Sequence, residues 1–439
     1  MKPSRICRSL LALALAPAIA GAQVASSAAR PIPLDEAVRL ARLNAPATTQ
    51  ARGALRVGRL TITNALAQFL PSIGLNASTR NSTAATFIQG KLTPYSGTEP
   101  WNSSRGYGAN IVLFDGGQRW FNFRAAQSSQ TANGENELLQ QFNVALSVKQ
   151  QYYAVLAARE SEAAADRQLE QATQQLRVTS ARVRAGAAIR SDSLRSAIAV
   201  GAAQLAIINA QNNLRVADAA LTRLVASNDL VTAVAADTSE VPRIDLDSAE
   251  LGALAERGPG VRQATASLEA SRGARKAALT SYLPYVTANY GFSTSHTSPN
   301  FDWMGGPGPT GTGYGFSVNF TVFDNFRREL SLTSASVSEE NATVTLRDAR
   351  LAAHENLAQY LGAYRTAAQT IELQLLQIAA AEEDLRAQQS RYAVGASALL
   401  DVLTSQSALD NARTALIGAR LQARTAKAQL EALVGRDLR

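Results

Sequence analysis

Three landmarks of this chain each recur 209 positions further on: Asp115 at Asp324, Gly186 at Gly395 and Asp192 at Asp401. Leu113-Phe114-Asp115-Gly116 returns as Val322-Phe323-Asp324-Asn325, so the repeat carries its local sequence as well as its spacing. A period of this kind is one structural unit built twice. The offset does not drift between the Phe-Asp pair and the glycine, so no insertion or deletion separates them in either half. Length is therefore the preserved quantity, as in a tube. An enzyme preserves a few side chains instead.

The preserved stretch reads as helix. From Gly116 to Arg184, and again from Asn325 to Val394, there is no proline, and the only glycines are Gly116, Gly117, Gly134 and Gly362. A continuous helix of that length would be roughly 100 Å long at about 1.5 Å per residue. The segments after Gly186 and Gly395 carry an apolar seam in steps of three and four. In the second half it is Leu409, Ala412, Leu416, Ala419, Ala423, Ala426, Leu430 and Leu433; in the first it is Val200, Ala203, Ile207, Ala210, Leu214, Ala217, Leu221 and Leu224. A sustained seven-residue repeat implies coiled-coil packing, and the alanines allow close approach.

Ahead of each long helix the period changes from helical to alternating. Tyr314, Phe316, Val318, Phe320 and Val322 are large and apolar, with Gly315, Ser317, Asn319 and Thr321 between them. Tyr107, Ala109, Ile111 and Leu113 alternate in the same way, as do Ile73, Leu75, Ala77 and Thr79, while Tyr285 to Thr294 supplies a weaker fourth strand. One face of such strands suits hydrocarbon and the other water, in a membrane barrel or in a half-buried soluble sheet. The connecting loops place Tyr95, Trp101, Phe301 and Trp303 among Gly, Pro and Ser. Helices preceding the hairpins end at Leu70-Pro71 and Leu283-Pro284, because proline disfavours helical geometry in the residue before it. These prolines lie 213 apart, so the four-residue difference falls in the hairpins.

The expected organisation is a secretory leader over 1–22, a first repeat over 23–228, an irregular linker over 229–247 and a second repeat over 248–439. The first repeat holds strands at 71–82 and 105–115, a long helix at 117–184 and a helix at 191–227; the second holds strands at 285–295 and 312–323, a long helix at 325–394 and a helix at 397–434. Ser26 to Pro33 is read as a loose segment after the leader, and Asn228 to Asp247 as a crossover on the outside of the body. Beyond the leader there is no cysteine, and His296 and His354 are the only imidazoles, so neither thiolate chemistry nor a histidine cluster is available. No cofactor or metal is expected. Of the formal charge of +8, Lys2, Arg5 and Arg8 in the leader supply three; the remaining cations are scattered among acidic residues, unlike a nucleic-acid stripe.

Four strands cannot close by themselves in lipid, where an open edge leaves backbone groups without partners. Copies are required, and three would give twelve strands around an aqueous bore where two would give a bore filled by side chains. The pattern demands an oligomer without counting it.

The ordered double set of Leu-Pro, Phe-Asp and Arg-Xaa3-Gly-Xaa5-Asp, from about Leu34 to Gly435, resembles the TolC-like outer-membrane efflux proteins. That resemblance implies a mainly α protein with membrane β-strands: a homotrimer whose twelve-stranded β-barrel lies among outer-membrane lipid above a periplasmic α-barrel. It also implies a passive exit duct of a tripartite efflux or type I secretion system, met by a periplasmic adaptor and driven by an inner-membrane pump. The competing reading is a periplasmic coiled-coil adaptor, which has no need of two amphipathic hairpins.

The resemblance places the glycine turns at the periplasmic tips. Arg182, Gly186, Arg391, Gly395 and Ser397 then become adaptor-contact residues, and Asp192, Asp401 and Tyr392 line the constriction. Three aspartates facing a narrow lumen would make an anionic ring selecting cations. Each residue also has a plain structural use: glycine as a left-handed cap, arginine in a last turn and Asp192 at a helix start, with Asp401 read as lying deeper in its helix. The chain departs from the fuller form of the constriction at Ser397, where a linking arginine can stand, and at Thr404, where a second acid can stand. Tyr392 and Asp401 are thereby left without an evident cationic partner.

Overall fold

The computed structural model describes residues 29–81, 86–88, 90–93, 101–234, 244, 247–303 and 306–438. The expected leader, Tyr95 and Pro242 lie outside them. In order, the elements are β1 (Arg30–Ile32), α1 (Leu34–Asn44), α2 (Pro46–Ala67), β2 (Ser72–Asn81), β3 (Thr86–Ile88), β4 (Lys91–Thr93), β5 (Trp101–Phe114), α3 (Gln118–Arg184) and α4 (Arg190–Val225). There follow β6 (Val231–Ala233), α5 (Ser248–Ala255), α6 (Pro259–Leu279), β7 (Tyr285–Ser298), β8 (Thr310–Asn319), α7 (Arg327–Ala393) and α8 (Leu399–Val434). The long helices are 67 residues each and their partners 36 each, the equality that the constant 209 encodes.

Strands β2, β5, β7 and β8 form one antiparallel sheet in that order. Its register places Ile73, Ala109, Tyr290 and Tyr314 in one row and Leu75, Tyr107 and Phe292 in another, on a single apolar face. The opposite face carries Gly74, Gly108, Gly291 and Gly313 in register across all four strands, flanked by Ser72, Asn110, Asn289 and Asn76. A bulge between Val112 and Phe114 sets Phe114 opposite Val286, so Phe114 rather than Leu113 joins the apolar side. β8 stops at Asn319, four residues short of the predicted end, and Phe320 to Phe323 run on as irregular chain. β2 and β8 are the open edges.

At the neck between sheet and helices the repeat builds the same clamp twice. The Asp115 carboxylate accepts from the Gly117 N–H at 3.0 Å, the Arg119 N–H at 3.1 Å and Arg119 Nε at 2.7 Å, while the Arg119 guanidinium stacks 4.9 Å from the Phe69 ring centroid. In the second half Asp324 accepts from the Arg328 N–H at 3.1 Å, and that guanidinium stacks 5.1 Å from Tyr282. The two aromatics each stand two residues before the proline, so the Leu-Pro and Phe-Asp landmarks are the halves of one clamp.

Trp101, expected in a connecting loop, is instead the first residue of β5, and the segments near 30 and 231 also differ from the sequence reading. Arg30–Ile32 is not loose: it pairs in parallel with β6, inside the predicted linker, and buried Ile32 accepts from Tyr152 Oη at 3.2 Å. Within the expected irregular linker, Val231, Thr232 and Ala233 are correspondingly ordered as strand and all buried. The seam residues of α4 and α8 are buried or half-buried throughout.

Near the β1–β6 pair, Lys149 Nζ donates to Glu431 Oε2 at 2.6 Å and Asp437 Oδ1 at 3.0 Å, joining α3 to the C-terminal segment. Burial alone would push the Lys149 ammonium down, but its bonds to the two carboxylates outweigh that and hold it above the ordinary lysine range. The same hydrogen bond holds Asp437 below the usual carboxylate range. A depressed carboxylate stabilises above its unfolded pKa and loses that contribution as pH falls through its folded value; a raised ammonium contributes below its unfolded pKa and loses it as pH rises through its folded value. Thermal stability is therefore expected to fall from about pH 4 downward more steeply in the wild type than in Asp437→Asn. Superimposable melting-versus-acidity curves for the two would count against this lock.

Candidate functional site at the helical tips

Both tips close with the same backbone device. Gly186, at φ 71°, gives its N–H to Val183 O at 3.1 Å, and Ala187 gives its N–H to Arg182 O at 2.8 Å. Gly395, at φ 79°, gives its N–H to Tyr392 O at 3.0 Å, and Ala396 gives its N–H to Arg391 O at 2.8 Å. These paired bonds are the Schellman arrangement, which requires a left-handed residue that glycine adopts without Cβ strain.

The next helices begin alike. Asp192 is the third residue of α4 and Asp401 the third of α8, so Asp401 is not deeper in its helix than Asp192. Asp401 Oδ2 accepts from the Ala398 N–H at 3.0 Å, satisfying one of the free donors at the helix start. Ala398 has no side-chain acceptor, so only this half of a capping box is present. Asp401 is exposed, Asp192 half-buried.

The two tips are tied by Arg182. Its Nη1 donates to Tyr392 O and Ala393 O, both at 2.7 Å, and its guanidinium stacks 4.8 Å from the Tyr392 ring centroid. A cation thus sits on the last carbonyls of α7, where the helix dipole favours it. Tyr392 is 6% exposed, packed with Leu385, Leu399, Val402 and Leu409. Tyr392 therefore has a cationic partner after all, donated from the other repeat; positions near Gly395 could not reveal it. Arg391, at the equivalent position, is exposed, and Ser397 Oγ makes a long contact of 3.4 Å to Gln388 O. Thr404 Oγ1 bonds back to Leu400 O at 2.9 Å within its helix. The turns expose Ile189, Val394 and Leu400, with Val394 80% exposed.

Higher up, the helices form a single layer. Near the sheet the order is α2, α3, α6, α7, and toward the tips it is α4, α3, α8, α7. Side chains three and four apart share a helix face. On α7, Ala342, Leu346, Ala349 and Ala353 face α6, while Leu330, Val337, Val344 and Leu351 repeat every seven residues on the opposite face and stay accessible. On α2, Thr48, Ala51, Gly58 and Ala65 are buried, and Val57 and Leu60 are exposed on the far side. α4 behaves the same way: Leu194, Ile198, Leu205 and Val216 point away from α3. Among the described residues α4 alone is long and apolar enough to cross a membrane, and most of that apolar stretch is not buried within the protomer. Its apolar character is spread round the helix, one side on α3 and the other unpartnered. Both edges of the helical layer, like both edges of the sheet, are unfinished.

The chain is 29% identical over 159 residues to the outer membrane efflux protein BepC of Brucella suis biovar 1 (strain 1330), an overlap of 36% of this chain and 33% of that protein. It therefore spans about a third of that relative's length in the match. Its fold is that of the outer membrane protein VceC from Vibrio cholerae, with 18% identity, TM-score 0.78 and coverage of 92% of this chain and 97% of that one. A membrane protein from Pseudomonas aeruginosa has the same fold at 19% identity and TM-score 0.81, with 93% and 92% covered. The family model described as outer membrane efflux protein matches residues 37–227 and 251–436, both halves of the repeat. The chain therefore belongs to the outer membrane efflux protein family, whose members are outer-membrane channels and not enzymes.

Proposed function

We propose that three copies of this chain close into a duct, four strands each making a twelve-stranded barrel and the helical layers making an α-barrel below it. The duct is the passive exit of a tripartite efflux or type I secretion system. The observation that carries this reading is the coincidence of open edges: β2 and β8 in the sheet, α2 and α7 near it, α4 and α7 toward the tips, all ending in accessible apolar side chains. A lone protomer would leave strand-edge backbone groups unpaired in lipid at several kcal/mol each, by roughly the usual cost of an unsatisfied group there. Two copies would give a narrow eight-stranded bore, whereas three leave room for an aqueous lumen lined by the glycine and asparagine face.

In this assembly the tips point into the periplasm. Gly186, Gly395, Arg391 and Ser397, with the exposed Ile189 and Val394 beside them, meet a periplasmic adaptor, and an inner-membrane pump supplies the energy. Asp192 and Asp401 line the aperture, while buried Tyr392 acts on it by holding Arg182. The reading is tested in planar bilayers with purified protein. Cation-selective conductance is expected, and Asp401→Ala should weaken block by a multivalent cation by about an order of magnitude as three charges leave the ring. A monomer in mild detergent without conductance overturns the duct; unchanged selectivity in Asp401→Ala removes Asp401 from the aperture.

A further inference from the structure

The two necks differ at one pair of positions. Gly116 and Gly117 have φ of 66° and 89°, and their counterparts Asn325 and Phe326 keep the same left-handed backbone at 58° and 61°. Asparagine tolerates that region; a bulky aromatic rarely does. Strain of this kind persists where surrounding structure compensates for it. Within the protomer little compensates: Phe326 is 69% exposed, and the aromatic ring it meets edge-on, Phe323, 5.9 Å away between centroids, is itself accessible. Phe326 stands four residues before Leu330, at the head of the stripe Leu330, Val337, Val344 and Leu351 that faces away from α6. That stripe is one open edge of the helical layer, and the other edge at this height is α2, with Val57 and Leu60 exposed. Since α2 runs toward the sheet and α7 away from it, the C-terminal end of one meets the N-terminal end of the other at the neck.

We propose that Phe326 is a wedge between copies: its ring seats on the α2 end of the next copy, near Asn64, and that contact holds the left-handed backbone in place. The inference rests on the trimeric reading above and names the residue that locks its neck. It also accounts for the asymmetry between repeats, because the equivalent Gly117 heads α3, which has α2 and α6 of its own protomer on either side, and needs no wedge.

The test turns on sign. Glycine is the residue the fold already uses at this position in the first repeat, so Phe326→Gly relieves strain. An uncovered Phe326 would make the variant more resistant to heat. The wedge predicts the reverse, trimers in dodecyl maltoside dissociating several degrees lower than wild type, with Asn325→Gly, which keeps the ring, no less stable than wild type. In a Cys7→Ser background, Phe326→Cys with Asn64→Cys is expected to give disulfide-linked species between copies on oxidation, as is Leu330→Cys with Leu60→Cys. A higher dissociation temperature for Phe326→Gly overturns the proposal. Cross-linking of the Leu330–Leu60 pair alone also overturns it and assigns the ring to lipid. A wild-type protein that is monomeric, with neither pair cross-linking, instead sinks the trimer itself and this contact with it.

Discussion

Leu330→Asp combined with Val344→Asp is expected to leave the protein monomeric in mild detergent while each chain keeps its helical content. Both side chains are accessible in the protomer and lie on the face of α7 opposite α6. Covering them in an assembly contributes roughly 2 kcal/mol per side chain by ordinary apolar burial. The substitutions remove that and place an unpaired carboxylate at the contact, which costs about 3–5 kcal/mol when desolvated. The penalty recurs at every interface, so assembly should fail outright rather than weaken. Within the protomer both positions are exposed and face away from α6, so the α6–α7 packing is left in place. Light scattering on the purified variant decides it: a particle of wild-type mass would show that this stripe faces lumen or solvent.

Arg182→Ala is expected to detach the two tips of a protomer from one another. Two charge-assisted hydrogen bonds to Tyr392 O and Ala393 O are lost together with the stacking on Tyr392. Hydrogen bonds to charged groups contribute about 1.5–3 kcal/mol and the cation–π contact about 0.5–2 kcal/mol, which exceeds the stability of most helix ends. Faster amide exchange should appear around residues 182–190 and 391–398, with the region around β1 and β6 unchanged. If the tips dock an adaptor as proposed, export should fall while the oligomeric state stays that of the wild type, because the tips have lost their shape. Arg182→Lys should not restore it, since one ammonium cannot span both carbonyls and lie flat on the ring. Unaltered exchange at the tips, or full rescue by lysine, would remove Arg182 as their tie.

Legibility followed the range of the interaction. The glycine turns and the strand and helix order are local matters of dihedral preference and period, and the repeated Arg-Xaa3-Gly-Xaa5-Asp pattern marked the tips to within a residue or two. Boundaries set by tertiary contact were less readable. β8 ends at Asn319 although the alternation runs on to Val322, because β7, its partner, begins at Tyr285 and offers nothing to pair with beyond it. Arg30–Ile32 looked loose because its partner strand lies some 200 residues away in the chain. Asp401 looked deeper in its helix than it is, since Ser397 is a favoured cap residue and sets the expected start at 397, whereas the observed cap is Ala398, which has no side-chain acceptor.

The Arg119–Phe69 and Arg328–Tyr282 clamps and the Arg182 tie escaped the sequence for one reason: each joins residues whose separation carries no period. A guanidinium finds an aromatic ring and a pair of carbonyls by position in space, and neither has a spacing rule. Even so, Phe69 and Tyr282 each sit two residues before a repeated proline, a signal that the double copy could have exposed.

By itself the sequence determined that the two long helices match in length, since an unbroken offset of 209 relates the Phe-Asp pairs and the glycine turns alike, and that four amphipathic strands in lipid could not close by themselves; the structure makes both helices 67 residues. Only the tertiary structure decided which surfaces remain open and which residue ties the tips. Both depend on how helices are ordered in a layer and which way each face turns, and helical phase acquires direction only when a neighbour is in place.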